Sequence, residues 1–91
     1  MARVAFVTGG TRGIGRAICQ RLKADGFHVA AGYSGNEAAA EACARELGIM
    51  VVKGNVGVFA DCQAAVAKVA AELGPVDVLV NNAGITRDGF F

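Results

Sequence analysis

Residues 4–15 read VAFVTGGTRGIG, an apolar run followed by a glycine-rich loop that opens into a helical pattern. Four glycines within positions 8–15 let the backbone turn sharply and approach a ligand closely, because no Cβ atoms stand in the way. The following helix would aim unpaired N–H groups and its positive dipole end into the same space. The stretch therefore predicts a strand, a turn and a helix N-terminus suited to a pyrophosphate, although such turns also serve simple tight packing.

Apolar runs alternate with helical periodicity along the rest of the chain. The runs are short, rich in valine and nearly unbroken, as expected of parallel strands covered on both faces. They lie at Val4–Val7, His28–Tyr33, Met50–Val56 and Val76–Val80.

Three helices are predicted between these strands. Their apolar positions recur at helical spacing, with Ile14, Ile18 and Leu22 in the first, Ala38, Ala42 and Cys43 in the second, and Val66, Val69, Ala70 and Leu73 in the third. Ser34 and Glu37 have capping-box spacing before the second helix, and Asp61 is a candidate cap for the third. Glycines that follow the periodic stretches predict the helix ends, at Gly26, Gly48 and Gly74.

The predicted order βαβαβαβ defines an α/β fold, half of a Rossmann domain. Right-handed crossovers place helices on both faces of a four-stranded parallel sheet with strand order 3-2-1-4. Strands 1 and 4 are then neighbours, and their carboxyl ends meet where the chain reverses direction across the sheet. Open α/β sheets bind ligands at such a point. Thr8–Gly15 and Asn81–Gly84 both fall there, so residues 1–91 are predicted to form one truncated dinucleotide-binding domain.

Composition limits the partners that the chain is expected to have. With 91 residues, 54% hydrophobic residues and a net charge of +1, it is a small globular domain with no basic surface for nucleic acid or membranes. Cys19, Cys43 and Cys62 are odd in number and lack C-x-x-C spacing, which predicts buried free thiols. No leader is recognised, and no apolar run approaches the ~18 residues of a membrane span. A cytoplasmic location is expected.

The motifs resemble those of the short-chain dehydrogenase/reductase family. Thr8-Gly9-x-x-x-Gly13-x-Gly15 is similar to its cofactor loop, Asn55-Val56 to its adenine-contacting step, and Asn81-Asn82-Ala83-Gly84 to its fourth-strand signature. The sequence around these motifs is similar to that of NADPH-dependent acetoacetyl-CoA reductases and 3-oxoacyl-carrier-protein reductases. The resemblance covers all 91 residues, which would be only about the first third to two-fifths of such an enzyme.

The resemblance implies a set of cofactor-binding residues. Gly9, Gly13 and Gly15 would shape the loop, where Thr11, Arg12 and Ile14 would also meet the cofactor. Asn55 and Val56 would flank the adenine ring, and the ribose side would be lined by Asn81, Ala83 and Gly84. Asn82 and the Thr8 hydroxyl are expected to brace the junction of strands 1 and 4, since such residues often satisfy backbone groups at strand ends.

The end of strand 2 indicates which nicotinamide cofactor fits. An NAD site usually carries an acid there, roughly 20 residues past the glycine motif, to bind the ribose 2′-OH. Here the position reads Gly32-Tyr33-Ser34, and Arg12 in the loop is placed to pair with a 2′-phosphate. NADP(H) is therefore favoured over NAD(H). Tyr33 either flanks the adenosine phosphate or is simply a half-buried tyrosine at a strand end.

No residue of this chain is predicted to be catalytic. The family reduces carbonyls with a Ser, a Tyr and a Lys in a Tyr-x-x-x-Lys arrangement, all expected beyond Phe91. Tyr33 is the only tyrosine, and Gly35-Asn36-Glu37 follows it where the lysine would stand. The leading reading is an NADP(H)-binding half-domain. The alternatives are an oxidoreductase that works as a homo-oligomer with a nicotinamide or flavin cofactor, and a structural fragment that binds nothing.

The fourth strand predicts a partner. In the complete family fold this strand is central, so a chain that ends at Phe91 would leave its edge open. An apolar edge at Val76–Asn81 is a template for pairing with another chain. A homodimer is expected, with strand 4 paired antiparallel to its own copy in a continuous eight-stranded sheet. Aggregation is the competing outcome.

Overall fold

The computed structural model describes residues 3–11, 13–55 and 58–82. Within them the elements follow the order β1 (Val4–Thr8), α1 (Gly13–Ala24), β2 (His28–Tyr33), α2 (Glu37–Leu47), β3 (Met50–Lys53), α3 (Phe59–Leu73) and β4 (Val78–Asn81). All three strand pairs are parallel, and the sheet has the order β3-β2-β1-β4. The predicted α/β fold and strand order are confirmed.

Helices cover the two faces of the sheet, and each face has its own apolar core. On one face, Val7 of β1 packs with Cys19 of α1, and Leu47 at the end of α2 joins the same cluster. On the other face, Phe6 packs with Val69 of α3. This arrangement is the one that right-handed crossovers require, because α1 and α2 connect strands in one direction across the sheet and α3 returns in the other.

Strand boundaries differ from the prediction at three of the four strands. β1 extends to Thr8, β3 stops at Lys53 instead of Val56, and β4 runs from Val78 to Asn81 instead of Val76–Val80. β3 ends early because the backbone N–H of Asn55 leaves the ladder and donates to the Asp61 carboxylate at 3.0 Å. The predicted strand residue Val56 lies outside the described residues.

The cap predicted for α2 is wrong. Asn36, not Ser34, is the N-cap: its side-chain oxygen accepts the Ala39 N–H at 3.1 Å. Asn36 adopts a left-handed conformation with φ of 51°, which asparagine tolerates better than most residues. Glu37 does not reach back in a capping box but forms an ion pair with Lys53 at 2.8 Å.

The cap predicted for α3 is also wrong. Val58 occupies the N-cap position and makes no side-chain cap hydrogen bond. Asp61 lies within the first turn of the helix, where its carboxylate accepts the Asn55 N–H and so fixes the loop that follows β3. A carboxylate in the first turn also interacts favourably with the helix dipole.

Two of the three cysteines are buried as predicted. Cys19 and Cys43 are fully buried, whereas Cys62 is only half-buried in the first turns of α3. Burial raises the pKa of the Cys19 thiol to about 12, with a smaller contribution from Cys43, so this thiol stays protonated at neutral pH. Within the described ranges, no helix combines the length and apolarity that crossing a membrane requires.

Candidate dinucleotide-binding site

The glycine loop turns between β1 and α1 by means of two positive φ angles. Gly9 has φ of 64° and Gly13, the first residue of α1, has φ of 57°, a region that residues with a Cβ rarely enter. Leaving aside its chain neighbours and the nearby backbone of α1 itself, no atom of the described residues lies within 4 Å of the position that a Cβ would take on Gly13. Among the described residues, the helix N-terminus is therefore open at Gly13.

Two other glycines of the loop are required by packing. A Cβ on Gly15 would lie 2.0 Å from the Gly9 carbonyl oxygen, so α1 sits directly against the turn that precedes it. A Cβ on Gly10 would lie 2.8 Å from the Cys19 sulfur and 2.9 Å from the Ala31 Cβ. The loop glycines thus serve both purposes that the sequence suggests. Gly13 leaves space in which a ligand can approach, whereas Gly10 and Gly15 allow backbone segments to pack closely.

Hydrogen bonds hold the junction between β1 and β4. The Thr8 hydroxyl accepts the backbone N–H of Asn82 at 2.9 Å and donates toward the Asn81 side-chain oxygen at 3.2 Å. The buried Asn82 amide donates to the Gly9 carbonyl at 3.2 Å. Gly10 N–H donates to the Gly32 carbonyl at 3.1 Å, which ties the loop to β2 as well. The bracing roles expected for Thr8 and Asn82 are confirmed.

The predicted site residues that the structure describes lie at or just beyond the carboxyl ends of the four strands. Ile14 is 62% exposed, Thr11 is buried, and Tyr33 is half-buried at the end of β2. Asn55 and Asn81 are exposed after β3 and at the end of β4. These positions are brought to one edge of the sheet together with Gly9, Gly13 and Gly15. Outside the described residues lie Arg12, Val56, Ala83 and Gly84.

A cleft of about 150 Å³ opens beside this edge, between α3 and the sheet. Its polar wall near the strand ends is formed by Thr8, Asn55, Asp61 and Asn81, and its apolar wall includes Phe6, Val52, Ala65, Val66 and Leu79. The sequence motifs do not predict this cleft. The sequence feature that relates to the cleft is the helical spacing of apolar residues on α3. This spacing by itself indicates core packing and does not indicate a cleft.

The charges near the end of β2 are paired with each other. Glu37 is the first acid after β2, and a hydrogen bond from Lys53 lowers the pKa of its carboxyl, while the same contact raises the pKa of Lys53. Glu37 is thus held as a carboxylate in an ion pair. In the part of the chain that the structure describes, no group of three or more His, Cys, Asp or Glu residues could hold a metal ion.

The parallel 3-2-1-4 sheet, with a glycine loop at its switch point, defines a Rossmann-type domain. A sequence profile of short chain dehydrogenases matches residues 3–91, and the chain belongs to this family. The resemblance noted in its motifs is confirmed.

Individual relatives are similar over nearly the whole chain. An acetoacetyl-CoA reductase of Rhizobium meliloti (strain 1021) is 58% identical over 91 residues, which is 100% of this chain and 38% of that protein. A 3-oxoacyl-acyl-carrier-protein reductase of Staphylococcus aureus (strain Mu50) is 42% identical over 93 residues, covering 97% of this chain and 38% of the relative. The chain thus spans well under half the length of these curated relatives.

Solved structures show the same fold. A short-chain dehydrogenase/reductase from Serratia marcescens BCRC 10948 superposes with a TM-score of 0.84 at 39% identity, covering 88% of this chain and 35% of that one. A blue fluorescent protein from a metagenomic library, solved in complex with NADPH, gives a TM-score of 0.78 at 42% identity, covering 85% of this chain and 34% of that one.

Proposed function

We propose that this chain binds NADP(H) at the glycine loop. The observation that carries the proposal is the bare N-terminus of α1, where Gly9 and Gly13 have positive φ angles and the space outside Gly13 is open among the described residues. Backbone N–H groups at such a terminus bind the diphosphate of a dinucleotide. The NADPH complex of the similar metagenomic protein supports this choice of ligand.

Preference for the 2′-phosphate follows from the charges around the end of β2. Gly32-Tyr33-Ser34 offers no carboxylate to accept the ribose 2′-OH, and the nearby Glu37 is paired with Lys53. Arg12 lies within the glycine loop and provides a guanidinium suited to a phosphate group. NADP(H) is therefore the proposed ligand, with NAD(H) weaker.

Parallel titrations of NADPH and NADH, followed by nucleotide fluorescence, test both points. Arg12→Ala removes charge-assisted hydrogen bonds worth about 1.5–3 kcal/mol, so NADPH affinity falls about 10- to 100-fold while NADH affinity changes little. Arg45→Ala, an exposed arginine in the last turn of α2, is the matched control and leaves both affinities unchanged. Absence of saturable binding at millimolar nucleotide would overturn the proposal.

The proposal assigns binding and no catalytic residue. The names of the relatives describe reduction of acetoacetyl-CoA and of 3-oxoacyl carriers, and the family resemblance implies a Tyr-x-x-x-Lys pair for such chemistry. The single tyrosine of this chain, Tyr33, has no lysine four residues later. We expect the purified chain to bind NADPH without oxidising it in the presence of acetoacetyl-CoA. Turnover that disappears on Gly13→Trp would instead support the oxidoreductase alternative.

Self-association through β4 and a cytoplasmic location complete the proposal. β4 pairs with β1 on one side and with no other strand of the described residues. The proposed partner is a second copy of this chain, which would pair through the apolar β4 strand. The buried, protonated thiols of Cys19 and Cys43 suit a reducing compartment.

A further inference from the structure

Lys53 ends β3 directly beside the end of β2. The parallel register sets Lys53 opposite Tyr33, and the next residue, Gly54, donates its backbone N–H to the Tyr33 carbonyl at 2.8 Å. Neighbouring strands are about 4.8 Å apart, so the base of the Lys53 side chain lies one strand spacing from Tyr33. The end of β2 is where a Rossmann domain contacts the 2′ position of the adenosine ribose. Lys53 is therefore placed next to that position.

Lys53 and Tyr33 lie on the face of the sheet that α1 and α2 cover. Side chains alternate between the two faces along a strand, and Val51 and Ala31, two residues earlier in each strand, both belong to the apolar cluster of this face. The ion pair between Lys53 and Glu37, the first residue of α2, agrees with this placement. The glycine loop leads into α1 on the same face. The Lys53 ammonium and the glycine loop therefore serve one side of the sheet.

The ion pair leaves the Lys53 ammonium accessible to a ligand. The side chains of Lys53 and Glu37 are 58% and 63% exposed, and exposed ion pairs contribute little to stability. The contact with Glu37 raises the pKa of Lys53, with a smaller contribution from Tyr33, so the ammonium stays charged at neutral pH. A phosphate monoester carries about 1.5–2 negative charges, so it attracts an ammonium more strongly than one carboxylate does.

The turn between β2 and α2 has room for a phosphate group. Ser34, Gly35 and Asn36 are exposed, and a Cβ on Gly35 would lie more than 4 Å from every described atom apart from its chain neighbours. Glu37 follows this turn and is the first acid after β2. Its carboxylate would compete with a phosphate for Lys53 and would repel the phosphate as a like charge.

We propose that Lys53 binds the 2′-phosphate of NADP(H) and that Glu37 weakens this binding by holding the same ammonium. When the nucleotide binds, Lys53 Nζ moves from the Glu37 carboxylate to the phosphate, and Glu37 turns to solvent. NADH has no 2′-phosphate, so the ion pair stays in place when NADH binds. This inference rests on the proposed NADP(H) binding and adds to it a residue pair that sets the preference for NADP(H) over NAD(H).

Titrations of NADPH and NADH with variants of both residues test this exchange. Lys53→Met keeps an unbranched side chain without the charge and is expected to lower NADPH affinity about 5- to 30-fold. Lys53→Arg keeps the charge and is expected to retain most of the NADPH affinity. Glu37→Gln releases the ammonium and is expected to raise NADPH affinity about 2- to 5-fold. NADH affinity is expected to stay unchanged in all three variants.

A double variant separates direct contact with the phosphate from neutralisation of Glu37. If Lys53 only shielded Glu37, Lys53→Met would have no effect once Glu37→Gln had removed the carboxylate charge. Because Lys53 binds the phosphate in our proposal, Lys53→Met is expected to lower NADPH affinity about 5-fold or more in the Glu37→Gln background as well. Lys68→Met, at an exposed lysine of α3 on the other face of the sheet, is the matched control and leaves NADPH affinity unchanged.

Each contrary result has a distinct meaning. Equal NADPH affinities of the Glu37→Gln variant with and without Lys53→Met overturn the role of Lys53, while the proposed NADP(H) binding stands. Equal losses of NADPH and NADH affinity on Lys53→Met also overturn it, because the contact would then not involve the 2′-phosphate. Absence of saturable NADPH binding in the unchanged chain overturns both the proposed function and this inference.

Discussion

Replacing Gly15 by alanine tests the close approach on which the glycine loop depends. The backbone of Gly15 is helical within α1, so alanine by itself would stabilise the helix by about 1 kcal/mol. Its Cβ, however, would lie 2.0 Å from the Gly9 carbonyl oxygen and 2.6 Å from the Asn82 side-chain nitrogen. Such overpacking costs about 1–3 kcal/mol, and displacing Asn82 leaves buried polar groups without partners at a further cost of about 1–3 kcal/mol. We expect a net loss of about 1–5 kcal/mol in the free energy of unfolding.

Urea unfolding followed by circular dichroism, at one fixed chain concentration, measures this loss. Gly13→Ala is the matched control, because Gly13 lies two residues away but has open space around its Cβ position among the described residues. Only its φ of 57° opposes alanine, at a cost of about 1–2 kcal/mol. Gly15→Ala is therefore expected to be the less stable of the two variants. If Gly15→Ala instead matched or exceeded the stability of the parent chain, α1 could not approach the loop as closely as described.

Three further predictions concern other parts of the fold. Thr8→Val removes one acceptor of the Asn82 N–H, which also donates to the Val80 carbonyl at 3.1 Å, and lowers the free energy of unfolding by about 0.5–1.5 kcal/mol. Thr8→Ser retains the hydroxyl, so equal losses in the two variants would contradict the role of this hydrogen bond. Asn36→Ala is expected to lower the free energy of unfolding by about 1–2 kcal/mol, because alanine cannot cap α2 and is strained at a left-handed φ. Asn36→Gly is expected to lower it by only a few tenths of a kcal/mol. Thermal melts in which the two variants behave alike would count against the cap. Burial raises the pKa of Cys19 to about 12, so the protonated thiol contributes its full stability below the ordinary thiol pKa and loses it as pH rises toward about 12. Cys19→Ala is therefore expected to flatten the decline of the unfolding free energy at alkaline pH. An unchanged decline would show that ionisation of Cys19 does not cause it.

The order of strands and helices was predictable because the sequence repeats one signal at regular intervals. Each strand is a short valine-rich run, and helical spacing fills the intervals between them, as between His28–Tyr33 and Met50–Lys53. Once that order is read, the right-handed crossover rule leaves a single arrangement for four parallel strands with a reversal after the third. The position of the glycine loop at the reversal follows without knowledge of any side-chain contact.

Details that depend on one backbone angle or one long-range contact were not predictable. Ser34 and Asn36 both have side chains able to cap a helix, and only the φ of 51° at Asn36 decides between them. The position of Asp61 near a helix start predicts a helix cap, yet its carboxylate accepts a backbone N–H from six residues earlier. The four loop glycines look alike in sequence. Only three-dimensional packing shows that a Cβ on Gly10 would meet Cys19, whereas a Cβ on Gly13 would meet no described atom beyond its chain neighbours and its own helix.

Among the described residues, three contacts within residues 8–82 maintain the shape of the proposed nucleotide site. Gly10 is tied to β2 through the Gly32 carbonyl, and the Gly9 carbonyl is held by the Asn82 amide at the end of β4. The first turn of α1 then fits against Gly9 because Gly15 has no side chain. Because the Asn82 amide holds the Gly9 carbonyl, Asn82→Ala is expected to loosen the loop and to lower the NADPH affinity of this chain in the fluorescence titration. Unchanged NADPH affinity in this variant would show that the contact between Asn82 and Gly9 does not shape the nucleotide site.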